Sequence, residues 1–160
     1  MAKLWAKGYE LDDRIEEFTV GNDYRLDRAL VVADCAGSIA HARMLESIGI
    51  LSSAERGDLE TALRRYAALG ADDAFEIRRS EEDCHTAIEN RLTAELGSAG
   101  KKIHTGRSRN DQVLTALRIV ERSFLLRLVP SLIGLIRSLL DIAHRHRYTP
   151  MPGRTHLQAA

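Results

Sequence analysis

The stretch Lys101-Lys102-Ile103-His104-Thr105-Gly106-Arg107-Ser108-Arg109-Asn110-Asp111 interrupts a chain that is otherwise patterned for helices. Residues 97–109 mix Gly97, Ser98, Gly100, Gly106 and Ser108 with Lys101, Lys102, Arg107 and Arg109, and no apolar residue recurs there at helical spacing. The segment reads as a loop ending in a cap, Asn110 or Asp111, for the helix that follows. On that helix Val113, Leu117, Val120 and Phe124 share one side, continued by Leu128, Leu132, Leu135 and Leu139. Pro130 is expected to kink or divide it, because proline removes a backbone donor and crowds the preceding turn.

Working upstream, the helical period persists. From Asp23, residues Leu26, Leu30, Ala33, Gly37, Ala40 and Met44 recur at spacings of four and three, which predicts one amphipathic helix ended by Gly49. Ser52-Ser53-Ala54-Glu55 has the form of a capping box and opens a helix carrying Leu59, Leu63 and Tyr66 on one face, with Gly70 as its expected stop. Ser80 with Asp83 suggests another start, followed by Ile88, Leu92 and Leu96 and closed by Gly97. Tyr148 to Arg154 reads as a loop from its two prolines and glycine. Neither a half-buried strand pattern nor an internal repeat is visible, so the expected fold is all-α. We divide it as an N-terminal helical domain, residues 1–110, and the first part of a long-helix bundle, residues 111–160. The last helix has few sequence neighbours to cover it and is expected to pack on helices from further chain or from other subunits. Ala160 arrives with no stop signal, and the chain reads as cut.

Composition narrows the class. Of the 160 residues 44% are hydrophobic and 29% charged, the balance of a folded, soluble domain. Basic and acidic residues number 23 each, so a whole-chain electrostatic attraction to nucleic acid or an anionic membrane is not expected. Cys35 and Cys84 sit in helix-like segments without a C-x-x-C partner, which argues against a zinc site or a disulfide framework and fits a reducing cytoplasm. Met1 to Trp5 has no apolar run suited to a signal peptide. Phe124 to Ile142 is interrupted by Arg127, Pro130, Arg137 and Asp141 and is expected to be too broken to span a bilayer.

Three clusters carry possible chemistry. In the 101–111 loop, Arg107 and Arg109 bracket Ser108 beside a helix N-terminus, where free N–H groups and the positive dipole end suit a carboxylate or phosphate. A solvated basic loop with ordinary capping fits the same composition. Thr155-His156-Leu157-Gln158 places an imidazole between a hydroxyl and an amide, suited to proton transfer near neutral pH, although a lone histidine is more often structural. Glu81, Asp83, His85 and Glu89 form the third; spacings of four put His85 on one helix face with Glu81 or Glu89. One histidine with flexible carboxylates is a poor metal-ligand set, so a salt-bridge face is the plainer reading. His144 and His146 are read only as favourable charge at a helix C-terminus.

Taken together and in order, these residues resemble the argininosuccinate lyases. Lys101 to Gln112 is similar to that family's signature, which differs from the corresponding stretches of fumarase, aspartase and adenylosuccinate lyase. Ser38 to Leu45 resembles the family's first long helix, Glu82 to Glu89 the segment before the signature, and Met151 to Gln158 the second conserved region. The resemblance covers nearly all of this chain but only about the first third of a family member.

The resemblance implies reversible β-elimination of argininosuccinate to arginine and fumarate, with no cofactor and no metal. It implies that Arg109, Asn110 and Thr155 hold substrate carboxylates with Ser108 and Gln158 nearby, and that His156 is the acid/base histidine. Asp83, His85 and Asp111 would stand at the periphery of the site. It also implies a cytoplasmic homotetramer whose active sites draw on several subunits, with neither nucleic acid nor membrane as partner. Two departures stand out. The family's Trp-Gly-Gly-Arg-Phe and Phe-Asn-Ala-Ser become Trp5-Ala6-Lys7-Gly8-Tyr9 and Phe18-Thr19-Val20-Gly21, so a substrate-contacting serine is replaced, with Thr19 or the Gly21 N–H as the expected substitute. The Ser-Ser-x-Met-Pro-x-Lys-x-Asn loop that carries the catalytic serine has no counterpart here, so these 160 residues alone are expected to be inactive. Another fumarate-releasing lyase, or a structural role like that of the lens crystallins sharing this fold, are the alternatives.

Overall fold

The computed structural model describes residues 12–159. The Trp5–Tyr9 departure lies outside them. The order of elements is α1 (Asp13–Val20), α2 (Asp23–Leu26), a 3-10 turn (Asp27–Leu30), α3 (Val31–Ser47), α4 (Ser53–Ala71), a second 3-10 turn (Arg79–Glu81), α5 (Cys84–Leu96), α6 (Ser98–Lys102), α7 (Arg109–Arg145) and a two-stranded hairpin of β1 (Arg154–Thr155) and β2 (Gln158–Ala159). The fold is all-α apart from that hairpin. It comprises two compact units that meet in sequence between Glu121 and Arg122, inside α7.

Most helix ends lie where local chemistry puts them. Ser52 Oγ accepts the Glu55 N–H at 3.2 Å while Glu55 Oε2 accepts the Ser52 N–H at 2.8 Å, a closed capping box. Gly49 and Gly97, at φ +78° and +59°, take the left-handed conformation that ends α3 and α5. Asp83 caps α5 by accepting the Thr86 N–H at 2.7 Å. Gly70 does not stop α4, which runs on to Ala71; Asp73, at φ +54°, follows the end. Gly70 serves packing instead, since a Cβ there would stand 2.7 Å from Val31 Cγ1.

The core of the first unit joins α3, α4 and α5 through Val31, Cys35, Leu45, Leu59, Leu63, Tyr66, Phe75, Ile88 and Leu92. Each such side chain contributes roughly 1.5–3 kcal/mol by leaving water. Tyr66 packs edge-on against Phe75 at 5.6 Å, and its hydroxyl donates to Glu95 Oε1 at 2.7 Å.

Several expectations are corrected. The single helix from Asp23 is broken by the 3-10 turn, and Leu26 and Met44 from its predicted stripe are exposed. Of the predicted stripe only Ala33 is fully buried in α3, and the rest of the buried face is Val31, Asp34, Cys35, Ser38, Ala42 and Leu45. This helix is apolar on most sides, and the side turned inward is the one whose two polar groups find partners on α7. The segment after Gly97 holds a helical turn, α6, because Gly100 packs directly on the α5 backbone. In the first turns of α7 the buried residues are Gln112 and Ala116, not the Val113–Leu117 side; a Cβ at Gly37 would stand 3.5 Å from Thr115 Cγ2. Pro130 neither divides α7 nor ends it. The helix runs unbroken through Arg127 and Arg137, and by length and composition alone it is long and apolar enough to cross a membrane.

Candidate active site

The centre of the first unit's polar chemistry is the junction of α3, α5 and the loop leading into α7. Gly106, at φ +70°, turns the chain so that the loop ends in a second capping box. Ser108 Oγ accepts the Asp111 N–H at 3.3 Å, and Asp111 Oδ2 accepts the Ser108 N–H at 3.0 Å and its hydroxyl at 2.9 Å. The cap of α7 is therefore Ser108, while Arg109, Asn110 and Asp111 form its first turn. This corrects the placement of the cap at Asn110 or Asp111. The Ser108 bonds hold the Asp111 carboxyl below its ordinary pKa.

Arg109 turns its guanidinium onto Asp83, forming an ion pair with Oδ2. The Asp83 side chain is 3% exposed and that of Arg109 is 49% exposed. Asp83 is thus a buried anchor, fixed by its cap on α5, and the outer part of the guanidinium faces solvent. Ser108, Arg109 and Asn110 present their side chains together at an exposed helix N-terminus.

Beneath this turn, Gln112 links α7 to α3. Its Nε2 donates to Ser38 Oγ at 2.8 Å and to the Asp34 carboxylate, both buried. Burial pushes the Asp34 carboxyl up to about 6, against the Gln112 bond and the nearby Arg107 charge, which pull it down. His85 lies fully buried beside it, with Nδ1 3.9 Å from Asp34 Oδ2. Burial, reinforced by Arg107, lowers the His85 pKa to about 4, so the ring is neutral at physiological pH. His85 Nε2 points toward Glu89 Oε2 at 3.7 Å, and His104 Nδ1 reaches the same oxygen at 3.6 Å. His41 Nε2 meets the Thr105 carbonyl at 3.0 Å and ties α3 to the loop.

Sequence reasoning named Asp83, His85, Ser108, Arg109, Asn110 and Asp111, and the structure gathers these six at one junction. It missed Asp34, Ser38 and Gln112; an Asp and a Ser four apart in the otherwise apolar first half of α3, Val31 to Ala40, was the available signal. The position of His104 against Glu89 had no local signal. The suggested substitutes near Gly21 are already engaged: the Thr19 hydroxyl donates to the Ile15 carbonyl at 2.9 Å and the Gly21 N–H to Glu17 at 3.0 Å.

Thr155, His156 and Gln158 belong to the second unit. Thr155 pairs with Gln158 across the hairpin, and His156 and Leu157 form its two-residue tip. Both tip residues have positive φ, +50° and +67°, the pattern of a type I′ turn that normally selects glycine or asparagine. His156 is exposed rather than being a core histidine. Backbone strain of this kind costs about 1–3 kcal/mol per residue.

Comparison with known proteins agrees on one family. Residues 8–160 match the family described as lyase. Among curated proteins, the argininosuccinate lyase of Thermotoga neapolitana is 44% identical over 158 residues, covering 99% of this chain and 40% of that protein. Those of Sorangium cellulosum and Parabacteroides distasonis are 46% and 44% identical, with 99% of this chain and 37% and 35% of theirs covered. This chain therefore spans well under half the length of the relatives it matches.

Proposed function

The chain belongs to the lyase family, and from that premise we propose that it is the N-terminal part of an argininosuccinate lyase, splitting argininosuccinate reversibly into arginine and fumarate. The Arg109–Asp83 pair at the first turn of α7 carries this reading. β-Elimination removes a carbon-bound proton next to a carboxylate, and negative charge builds on that carboxylate. A guanidinium fixed in advance by a buried carboxylate meets such charge without reorganising. Helix N–H groups and the Asn110 amide add donors at the same end of α7. In this reading Arg109, Asn110 and Thr155 hold the substrate carboxylates, with Ser108 and Gln158 nearby. His156 exchanges a proton, and Asp83, His85 and Asp111 hold the carboxylate-binding turn in place.

The wider assignments follow from the family and are part of the proposal. The protein acts in arginine biosynthesis in the cytoplasm as a homotetramer, engaging neither nucleic acid nor membrane. The exposed apolar faces of α7 (Leu125, Leu132, Leu139 and their neighbours) suit the central helix bundle of the fumarase/aspartase superfamily. Because the family's serine loop has no counterpart in this sequence, the 160 residues alone do not turn over substrate.

The test is release of fumarate, followed by its ultraviolet absorbance, from argininosuccinate and in parallel from adenylosuccinate. Turnover of argininosuccinate by the full-length protein, lost in Arg109→Ala, supports the reading. Turnover of adenylosuccinate alone assigns the chain to another member of the superfamily, and turnover of neither favours a structural role. Fumarate release by the 160-residue chain would overturn the claim that it is inactive alone.

A further inference from the structure

Three buried atoms with no hydrogen-bond partner among the described residues converge on one point: His85 Nε2, Glu89 Oε2 and His104 Nδ1. They come from two elements, one turn of α5 and the loop after α6, and all lie within 4.8 Å of one another. We propose that this trio binds a divalent transition-metal ion of the zinc type, which pins the loop carrying Arg107, Ser108 and Arg109 to α5.

The donor chemistry fits. Two imidazole nitrogens and one carboxylate oxygen are a common zinc set, and bonds of about 2.0–2.1 Å at a tetrahedral angle put ligand atoms about 3.3–3.4 Å apart. The Glu89 oxygen stands 3.7 Å from His85 Nε2 and 3.6 Å from His104 Nδ1, and the three atoms lie within 4.8 Å of one another, so closure draws the His104 ring toward His85. His104 sits on a half-exposed loop and can supply that movement. Behind His85, the Asp34 carboxylate stands 3.9 Å from the other ring nitrogen, beyond hydrogen-bond distance but placed to favour a cation on the far side of the ring.

Burying these three polar atoms without partners is unfavourable, and one cation satisfies all of them. The surrounding charges are mixed. Arg107 and, more weakly, Arg109 oppose a cation, while Asp83 beside His85 and Asp34 beside Arg107 offset them. Three protein ligands leave a fourth position open to solvent or a small anion. Sequence spacing alone shows one histidine with acidic neighbours; the second histidine arrives only through the fold.

The experiment is a titration of the purified protein, stripped with EDTA, with Zn²⁺ by calorimetry and with Co²⁺ by visible absorption. The expected result is one ion per chain, a tetrahedral Co²⁺ band and a melting temperature that rises with Zn²⁺. Glu89→Gln and His104→Ala should each weaken binding at least about tenfold. His104→Ala is the safer variant because its ring is partly exposed, and circular dichroism confirms its fold. Absence of saturable binding, or unchanged stoichiometry and affinity in both variants, overturns the proposal. The readout is independent of turnover, so it stands or falls separately from the proposed lyase activity.

Discussion

Asp83 uses one carboxylate oxygen to cap α5 and the other to hold the Arg109 guanidinium at the start of α7. One buried side chain thereby couples the end of one helix to the candidate anion site on another. The coupling is asymmetric, because Asp83 is buried and Arg109 is half exposed.

That asymmetry predicts an order of stabilities. Arg109→Ala leaves a buried carboxylate without its cation and should cost about 1–3 kcal/mol, at the low end because solvent reaches the site. Asp83→Asn keeps a capping oxygen and frees Arg109 to be hydrated, so it should cost less. Urea unfolding of the two variants decides the matter; a larger loss in Asp83→Asn would contradict the account.

Two glycines in helices should respond oppositely to alanine. At Gly100 an added Cβ would lie 2.3 Å from the Leu92 carbonyl oxygen, which is backbone and cannot yield. Gly100→Ala should destabilise by about 1–3 kcal/mol or more. At Gly57, inside α4, nothing lies within 4 Å, and Gly57→Ala should stabilise by about 0.5–1 kcal/mol. Thermal melts of the pair read both signs.

Acid should weaken the fold through two particular carboxylates. Lys102 and the Ser52 cap lower Glu55 from 4.5 to about 2, and Arg43 with Arg64 lowers Glu60 by as much. A depressed folded-state value means the unfolded chain binds more protons in this window. The contribution is complete above about pH 4.5 and disappears as pH falls toward 2. Stability measured from pH 6 to pH 2.5 should fall less steeply in Glu55→Gln and Glu60→Gln, and high salt should blunt the difference because both sites meet solvent.

The hairpin tip makes its own prediction. Leu157 sits at φ +67° and is 95% exposed, so it gains little from packing and carries backbone strain. Leu157→Gly should strengthen the hairpin by about 1 kcal/mol, seen as slower hydrogen exchange at Thr155 and Gln158. Faster exchange would show that the leucine side chain holds the turn.

Helix ends were legible in the sequence. The Ser52–Glu55 box, Gly49 and Gly97 all act within three or four residues, and capping depends on little else. The grouping of Ser108, Arg109 and Asn110 was legible for the same reason, though the cap fell two or three residues earlier than expected. Which side of α3 is buried was not legible, because apolar residues are spread round the whole helix among the polar ones and periodicity cannot choose a face. Gly70 was misread as a stop, since a glycine needed for closeness to Val31 looks the same in sequence as one needed for a turn.

By itself, then, the sequence determined the all-α class, most helix boundaries and the lyase-like order of motifs, all encoded in residues near one another along the chain. Only the tertiary structure decided that Asp83 meets Arg109, that Gln112 reaches Asp34 and Ser38, and that His104 joins His85 at Glu89. Those pairs are 15 to 78 positions apart. They meet because packing α3, α5 and the start of α7 around one core buries their polar atoms together, and buried polar atoms must find partners within reach.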